Sequence, residues 1–174
     1  MPRKRKLFGL LAPRYRYYLN PYPELRFLKC LFCEHKTGQR KVPLIIHVDP
    51  RHLIALGYTH RYCRNCDVMI GHKHEIEGFL YELFARRNPE ALGNRYVIMG
   101  TMEVGPWRAS LRQPLSLSEM LTHTHDLKTF EELRMTMGGW FPDGQEPPVM
   151  TPPVSELWVK RPPEGNSEAQ KAAR

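Results

Sequence analysis

The chain has 174 residues, of which 41% are hydrophobic, and its formal net charge is +8. That composition supplies one modest core. The longest apolar runs, at residues 44–46 and 96–99, are far shorter than the roughly 20 residues that cross a bilayer. We therefore expect a single soluble domain without a membrane span.

The positive charge is concentrated in the first part of the chain. Residues 1–66 contain 14 Lys and Arg against 3 Asp and Glu, whereas residues 67–174 contain 12 against 15. Such asymmetry is typical of proteins that bind an anionic partner, most often nucleic acid. We expect that partner to be RNA or DNA.

Residues 1–22 are predicted to form a basic N-terminal tail. Its guanidinium and ammonium groups suit phosphates, and its tyrosine rings suit either stacking on unpaired bases or packing on the core. The candidate nucleic-acid contacts are Arg3, Lys4, Arg5, Lys6, Arg14, Tyr15, Arg16 and Tyr17. The alternatives are a solvated tail, a nuclear address and attachment to an anionic lipid surface.

All four cysteines lie in two Cys-x-x-Cys motifs, Cys30 with Cys33 and Cys63 with Cys66. Thiolates at this spacing can face one ion, and two such turns complete the tetrahedral sulfur shell that zinc prefers. The pattern resembles the broad zinc-ribbon class, which implies a structural zinc ion that is required for folding. Disulfide or redox chemistry and iron are the alternatives.

The N-terminus favours metal over disulfides. Only six apolar residues follow the basic start, against about 7 to 15 in a secretory signal. We therefore expect an intracellular protein in a reducing compartment, the cytoplasm, where paired cysteines more often bind metal.

Periodicity predicts the remaining elements. Alternation predicts strands at 25–31, 42–48, 58–62, 67–70, 96–99 and 101–104, with a short helical turn at 51–56. The spacing of Ile76, Phe79, Leu80, Leu83 and Phe84 predicts an amphipathic helix. Capping-box spacing predicts two further helix starts, near residues 117 and 129.

These elements predict an α+β fold. A zinc-ribbon of β-hairpins is extended by further strands and covered by the amphipathic helix, all within a single domain at residues 23–141. Residues 142–174 are predicted to be a Pro-rich, extended or disordered tail. In that tail, Leu157, Trp158 and Val159 are apolar enough to dock on the domain or on another protein.

Histidines provide the enzymatic alternatives. His47 lies on a strand between the two cysteine motifs, an arrangement that resembles zinc-bearing HNH endonucleases over residues 30–73. The resemblance implies His47 as the base that activates water, with Asp49 beside it and a divalent metal at the phosphate. In that family an Asp-His pair is adjacent, whereas Val48 separates the two residues here, and we predict no nuclease activity.

Two His-x-His pairs suggest a second metal. His72 and His74 precede Glu75 and Glu77, and His123 and His125 precede Asp126. The alternative is that these are ordinary histidines at the ends of strands and helices.

We therefore predict a non-enzymatic zinc-binding protein that binds nucleic acid or belongs to a ribonucleoprotein. The alternative is a protein-protein adaptor that uses its Pro-rich tail.

Overall fold

The computed structural model describes residues 5–135, 151–153 and 157–159. Its strands are β1 Arg16–Asn20, β2 Gly38–Val48, β3 His52–Cys63, β4 Val68–His72, β5 Tyr96–Met102, β6 Thr124–Asp126 and β7 Thr129–Glu132. Its helices are α1 Lys73–Arg87, α2 Val104–Ser110 and α3 Leu117–Thr122, with a short 3-10 helix at Pro89–Ala91. The described strands form one mixed sheet in the order β6-β5-β2-β3-β4-β1-β7. This is the α+β class that the sequence predicts.

The described helices are all too short or too polar to span a bilayer.

The long hairpin of β2 and β3 is the centre of the sheet. Its antiparallel register runs from Gly38 opposite Tyr62 to Val48 opposite His52. The strand predicted at 42–48 is confirmed, but the helical turn predicted at 51–56 is wrong. Residues 52–56 pair with β2 along one edge, and the hydrogen bonds of this hairpin stabilise the extended conformation more than a helical turn of six residues would.

Strand β1 lies inside the sheet although it belongs to the predicted tail. It pairs in parallel with β4 on one side and with β7 on the other, so that Tyr17 lies between Met69 and Phe130. Residues 16–20 of that segment are therefore part of the fold.

One face of the sheet carries the larger core. Leu44, Ile46 and Val48 of β2 are fully buried there, and Ile76 and Leu80 of helix α1 pack on them. The predicted helix is confirmed, and its apolar stripe is narrower than predicted. Phe79 and Leu83 belong to the predicted stripe but remain 44% and 37% exposed, since they lie at its outer edge.

Three other predicted elements differ from the structure. Residues 25–31 form no strand and contribute a single bridge, Lys29 to Lys36, because the cysteine turn leaves no partner strand beside them. Residues 96–104 contain one strand, β5, instead of two. The helix predicted near 129 is wrong, since these residues pair with β1 as β7. At Ser116 the predicted capping box is present and starts α3.

Part of the C-terminal segment docks on the domain. The Trp158 ring is buried against Phe84 and Tyr96, and its Nε1 donates a hydrogen bond to the Asn94 carbonyl at 3.1 Å. Disorder was also predicted for the two ends of the chain. Residues 1–4 and most of residues 142–174 lie outside the residues that the structure describes.

Candidate metal centre and basic groove

The four cysteines converge at the end of the β2–β3 hairpin. Their sulfur atoms all lie within 4.8 Å of one another. Four sulfurs bound to one zinc ion at about 2.3 Å would be separated by about 3.8 Å in a tetrahedron. All four cysteines are free, and the 3.5 Å between Cys33 Sγ and Cys63 Sγ is far longer than a disulfide. The donor set therefore fits a divalent metal ion with a preference for sulfur, as zinc has.

Local backbone geometry shapes each cysteine turn. In the first turn, the amide of Cys30 donates to the His35 carbonyl at 2.8 Å, and the amide of Glu34 donates to the Cys30 carbonyl at 3.1 Å. Glu34, with φ 59°, closes the first turn, and Asp67, with φ 54°, closes the second. These left-handed positions reverse the chain so that both sulfurs of a pair face inward.

The second core lies under the cysteines on the sheet face opposite α1. Cys30 and Cys63 are buried there with Tyr18, Val68 and Ile70, while Cys33 and Cys66 are partly exposed. Alternation along β1 explains the two cores, since Tyr17 faces the larger one and Tyr18 the smaller. The sheet thus connects the cysteine centre to the main core.

The thiols of Cys33 and Cys66 differ in pKa because they form different hydrogen bonds. A hydrogen bond from the backbone amide of His35 lowers the pKa of Cys33 to about 5. Hydrogen bonding with Cys33, together with burial, raises the pKa of Cys66 to about 12. Cys33 therefore ionises readily, and its negative charge opposes ionisation of the neighbouring Cys66. A bound cation removes this opposition, because it stabilises both thiolates.

A basic groove lies beside the metal centre. It is an open depression of about 630 Å³ lined by Arg14, Lys36, Arg40, Arg64 and Tyr62, together with the polar or small residues Gly38 and Gln39. Within the described chain, none of its four cations lies at ion-pair distance from a carboxylate. Four positive charges without an ion-pair partner among the described residues lie on one concave surface, and such a surface attracts anions.

Several elements bring these cations together. Lys36 follows the first cysteine turn, Arg64 lies inside the second, and Arg40 belongs to β2. Arg14 is held by its amide, which donates to the Asp126 carbonyl at 2.8 Å. The metal centre thus positions two of the four cations.

Arginine side chains lie against Tyr62, which lines the groove, and against the buried Tyr15 beside it. The guanidinium of Arg40 lies 4.7 Å from the Tyr62 ring centre, and that of Arg14 lies 4.7 Å from the Tyr15 ring centre. Cation–π contacts of this kind hold the guanidinium groups in place while leaving their N–H groups available.

The predicted nucleic-acid contacts are distributed unevenly. Of the predicted residues that the structure describes, only Arg14 lines the groove, while Arg16 stacks on the exposed ring of Phe32 at 4.3 Å. Arg5 donates to the Lys128 carbonyl, and Lys6 is exposed. Tyr15 and Tyr17 are 2% and 0% exposed, so we leave both out of the proposed surface. Arg3 and Lys4 lie outside the described residues.

Sequence analysis missed three of the groove's cations, namely Lys36, Arg40 and Arg64. All three belong to the basic segment 1–66, Arg64 directly follows Cys63, and Lys36 is three residues after Cys33. Proximity to the cysteine motifs was the signal that could have identified two of them.

His47 and Asp49 form a pair far from the cysteines. Their Nδ1 and Oδ1 atoms are 3.6 Å apart at the distal end of β2. His47 is nine residues from Gly38, about 30 Å along an extended strand. In the part of the chain that the structure describes, the cysteine cluster alone brings three or more metal-ligating side chains together.

One histidine of each His-x-His pair, His72 or His125, hydrogen-bonds to a protein group, whereas His74 Nδ1 is buried without a hydrogen-bond partner in the described chain. His72 Nδ1 lies 3.2 Å from the Asn20 amide nitrogen, and neighbouring Glu75 and Glu77 accept from Tyr58 and Tyr96. In the second pair, Asp126 accepts two backbone amides, from Phe8 and Gly9. The carboxylates that could complete a second metal site are thus engaged elsewhere.

No family model, no curated protein and no solved structure matches the chain. Its function is therefore inferred from its residues and their geometry.

Proposed function

We propose that this chain is a zinc-binding protein that contacts the phosphate backbone of nucleic acid through its basic groove. The observation that carries the proposal is the convergence of Arg14, Lys36, Arg40 and Arg64 around one depression without a carboxylate in its lining. Cys30, Cys33, Cys63 and Cys66 would hold the zinc ion. When bound, zinc supplies a structural crosslink between the two cysteine turns.

The shape of the groove favours nucleic acid over a lipid surface. A membrane is flat and attracts cations that project from a protein, whereas these four side chains line a concave surface of about 630 Å³. A strand of phosphates can enter such a depression and neutralise several cations at once.

We expect the groove to bind nucleic acid with little preference for base sequence. Tyr62, the tyrosine of its lining, already lies against the Arg40 guanidinium, which occupies the ring face that a base would stack on. Contacts to phosphates position a nucleic acid but carry no sequence information. We therefore expect affinity that depends on salt more than on base composition.

The docking of Trp158 weighs against the adaptor alternative. Its ring is 6% exposed and packs on the chain's own Phe84 and Tyr96. A partner that used this side chain would first have to displace it.

Salt titration tests the proposal. Zinc-loaded full-length protein is titrated into labelled RNA and DNA at several salt concentrations, and the logarithm of affinity is plotted against the logarithm of salt. Four neutralised phosphates predict a slope of about −3 to −4. The R40Q/R64Q double variant should make the slope shallower by about 2.

The matched control is R86Q/R87Q, which removes the same charge from two exposed positions at the end of α1. It should change the slope little, since these side chains lie outside the groove. Failure to bind either nucleic acid at low salt, or unchanged binding by R40Q/R64Q, would refute the proposal.

A further inference from the structure

Strand β3 has an open edge along most of its length. On one side β2 pairs with residues 52–62, whereas on the other side β4 pairs with residues 61–63 alone. Among the described residues, no strand lies beside residues 52–59 on that second side, and no loop forms a backbone hydrogen bond with them. Alternate N–H and C=O groups of these residues point away from β2 and are available to another strand. Residues 52–59 are the open edge of the sheet.

The open edge lacks the features that protect edge strands. It contains no Lys, Arg, Asp, Glu or Pro, and its register with β2 runs without a bulge. The outermost strands of the sheet differ, since β6 has three residues and β7 has four, two of which are glutamates. Proteins normally keep exposed edges short or charged, because a long uncharged edge pairs with other chains. The open edge is therefore suited to pairing with a second chain.

Helix α1 presents an apolar surface beside the open edge. Phe79 and Leu83 are 44% and 37% exposed, although both are large apolar side chains. Phe79 lines a groove of about 510 Å³ between α1 and β3, whose wall also contains Gly57 and Tyr58 of the open edge. A partner that pairs with the open edge and carries a helix on the same face of the sheet would cover Phe79 and Leu83.

A second copy of the chain meets both requirements. Two β3 strands that pair antiparallel through their open edges form one continuous sheet, related by a two-fold axis perpendicular to it. Their α1 helices then lie on the same face of that sheet and run in opposite directions. The apolar side chains of one helix thereby face those of the other.

The charges of α1 are complementary in this arrangement. Glu75 lies in the first turn and the exposed Arg86 in the last turn. Together with Phe79 and Leu83 they are spaced by three or four residues, so the four side chains share one side of the helix. Antiparallel packing directs the acidic end of each helix to the basic end of the other. A parallel neighbour would bring like charges together.

We propose that two copies of this chain form a symmetric dimer by antiparallel pairing of their open edges, with the α1 helices packed across the two-fold axis. The assembly closes at two copies, because each copy uses its open edge once. Both basic grooves stay accessible, since each lies at the other end of the hairpin, around residues 38–40. Dimerisation therefore leaves the number of phosphates that each groove neutralises unchanged, and it does not depend on nucleic-acid binding.

Mass measured over a wide range of protein concentrations tests the dimer. Zinc-loaded full-length protein, freed of nucleic acid, is examined by sedimentation equilibrium at low and high salt. We expect the mass to rise to that of two chains and no further. High salt should leave the dimer intact, because it screens the repulsion between two chains of net charge +8. Monomeric protein at every concentration, a mass that rises beyond two chains, or a dimer confined to low salt overturns the proposal.

Two double variants locate the interface. F79K/L83K places positive charges beside their symmetry copies and should weaken the dimer at least about a hundredfold. The matched control is L10K/V97K, which changes two apolar residues that are 72% and 47% exposed. Val97 belongs to β5, which β2 separates from β3, and the Leu10 amide donates to the Leu121 carbonyl in α3. This control should dimerise as the wild type does. Dissociation of both variants, or of neither, contradicts the assignment.

Amide hydrogen exchange of the wild type gives an answer even where F79K/L83K does not fold. Amides of the open edge should exchange at least about tenfold more slowly at concentrations that favour the dimer than after dilution. The amides of β5, which lies between β2 and β6, are the internal control and should not change. Equal exchange of residues 52–59 before and after dilution overturns edge pairing. Protection that appears only when a different protein is added assigns the edge to that protein and overturns the dimer.

Discussion

His60 shows how burial can dominate the charge state of a side chain. Its ring is 1% exposed and lies edge-on to Tyr17 and Tyr58, at 5.5 and 4.7 Å between ring centres. Neither ring nitrogen has a hydrogen-bond partner within the described chain. Burial lowers the pKa of His60 to about 3, so the ring is neutral in the folded protein at any ordinary pH.

The pH dependence of unfolding tests this description. The unfolded chain binds a proton at this histidine below about pH 6.5, whereas the folded chain does not until about pH 3. The free energy of unfolding therefore falls as pH falls through this window. Between pH 6.5 and 5.5 the wild type should lose about 1 kcal/mol more than H60L does.

Denaturant melts of both proteins at the two pH values measure this difference. Contributions from carboxylates and cysteines are common to both proteins and cancel in the comparison. Identical losses would show that His60 is not held neutral by the fold.

At the scale of elements, Gly100 allows β5 and β6 to approach closely. A Cβ at this position would collide with the His125 carbonyl oxygen and lie 3.2 Å from the Cα of Asp126. The absence of a side chain at Gly100 therefore sets how closely β6 approaches β5.

Two glycine substitutions should therefore act in opposite directions. Gly100→Ala forces two strands apart and should lower the free energy of unfolding by about 1 to 3 kcal/mol. Gly78→Ala should raise it by about 0.5 to 1 kcal/mol, since Gly78 lies inside α1 and nothing surrounds its missing Cβ. Thermal or denaturant melts compare the two variants with the wild type, and a destabilised Gly78→Ala protein or a neutral Gly100→Ala protein would contradict this account.

At the scale of the whole molecule, the protein has two separate cores, so a bound metal should stabilise mainly the part of the fold around the cysteines. The cysteines pack in the smaller cluster, while the larger core between the sheet and α1 contains none of them. The sequence-based expectation that the metal is required for folding therefore applies most directly to the cysteine turns.

Removal of zinc should lower the melting temperature without abolishing the sheet. A fall of at least about 10 °C is expected, since each kcal/mol corresponds to about 2 to 4 °C in a chain of this size. Chelation, readdition of zinc and the variant Cys63→Ser should agree, with metal content and far-UV circular dichroism measured in parallel. One retained equivalent of zinc in Cys63→Ser with unchanged melting would exclude this metal centre.

Short-range patterns predicted much of the fold. The alternation of β2, the apolar stripe of α1 and the capping box at Ser116 each lie within a few residues, where backbone periodicity dictates which side chains share a face. The structure confirms these elements, and it also contains strands where they were predicted at 58–62, 67–70 and 96–99. Residues 129–132 were misassigned because their partner strand, at residues 16–19, is distant in the chain. Residues 51–56 were misassigned because the chain turns at 49–51 and continues as the second strand of a hairpin, where a helical turn was predicted.

The sequence by itself determined the cysteine cluster, because two Cys-x-x-Cys motifs carry their ligand geometry locally and use all the cysteines in the chain. Only the tertiary structure decided which cations share a surface. Arg14, Arg40 and Arg64 are brought together by the insertion of β1 beside β4 and by the closure of the cysteine turns. The same pairing buried Tyr17, which composition had placed with the nucleic-acid contacts. The physical reason is that pairing between segments some fifty residues apart depends on the free energy of the whole sheet, which no local pattern of charge or hydrophobicity contains.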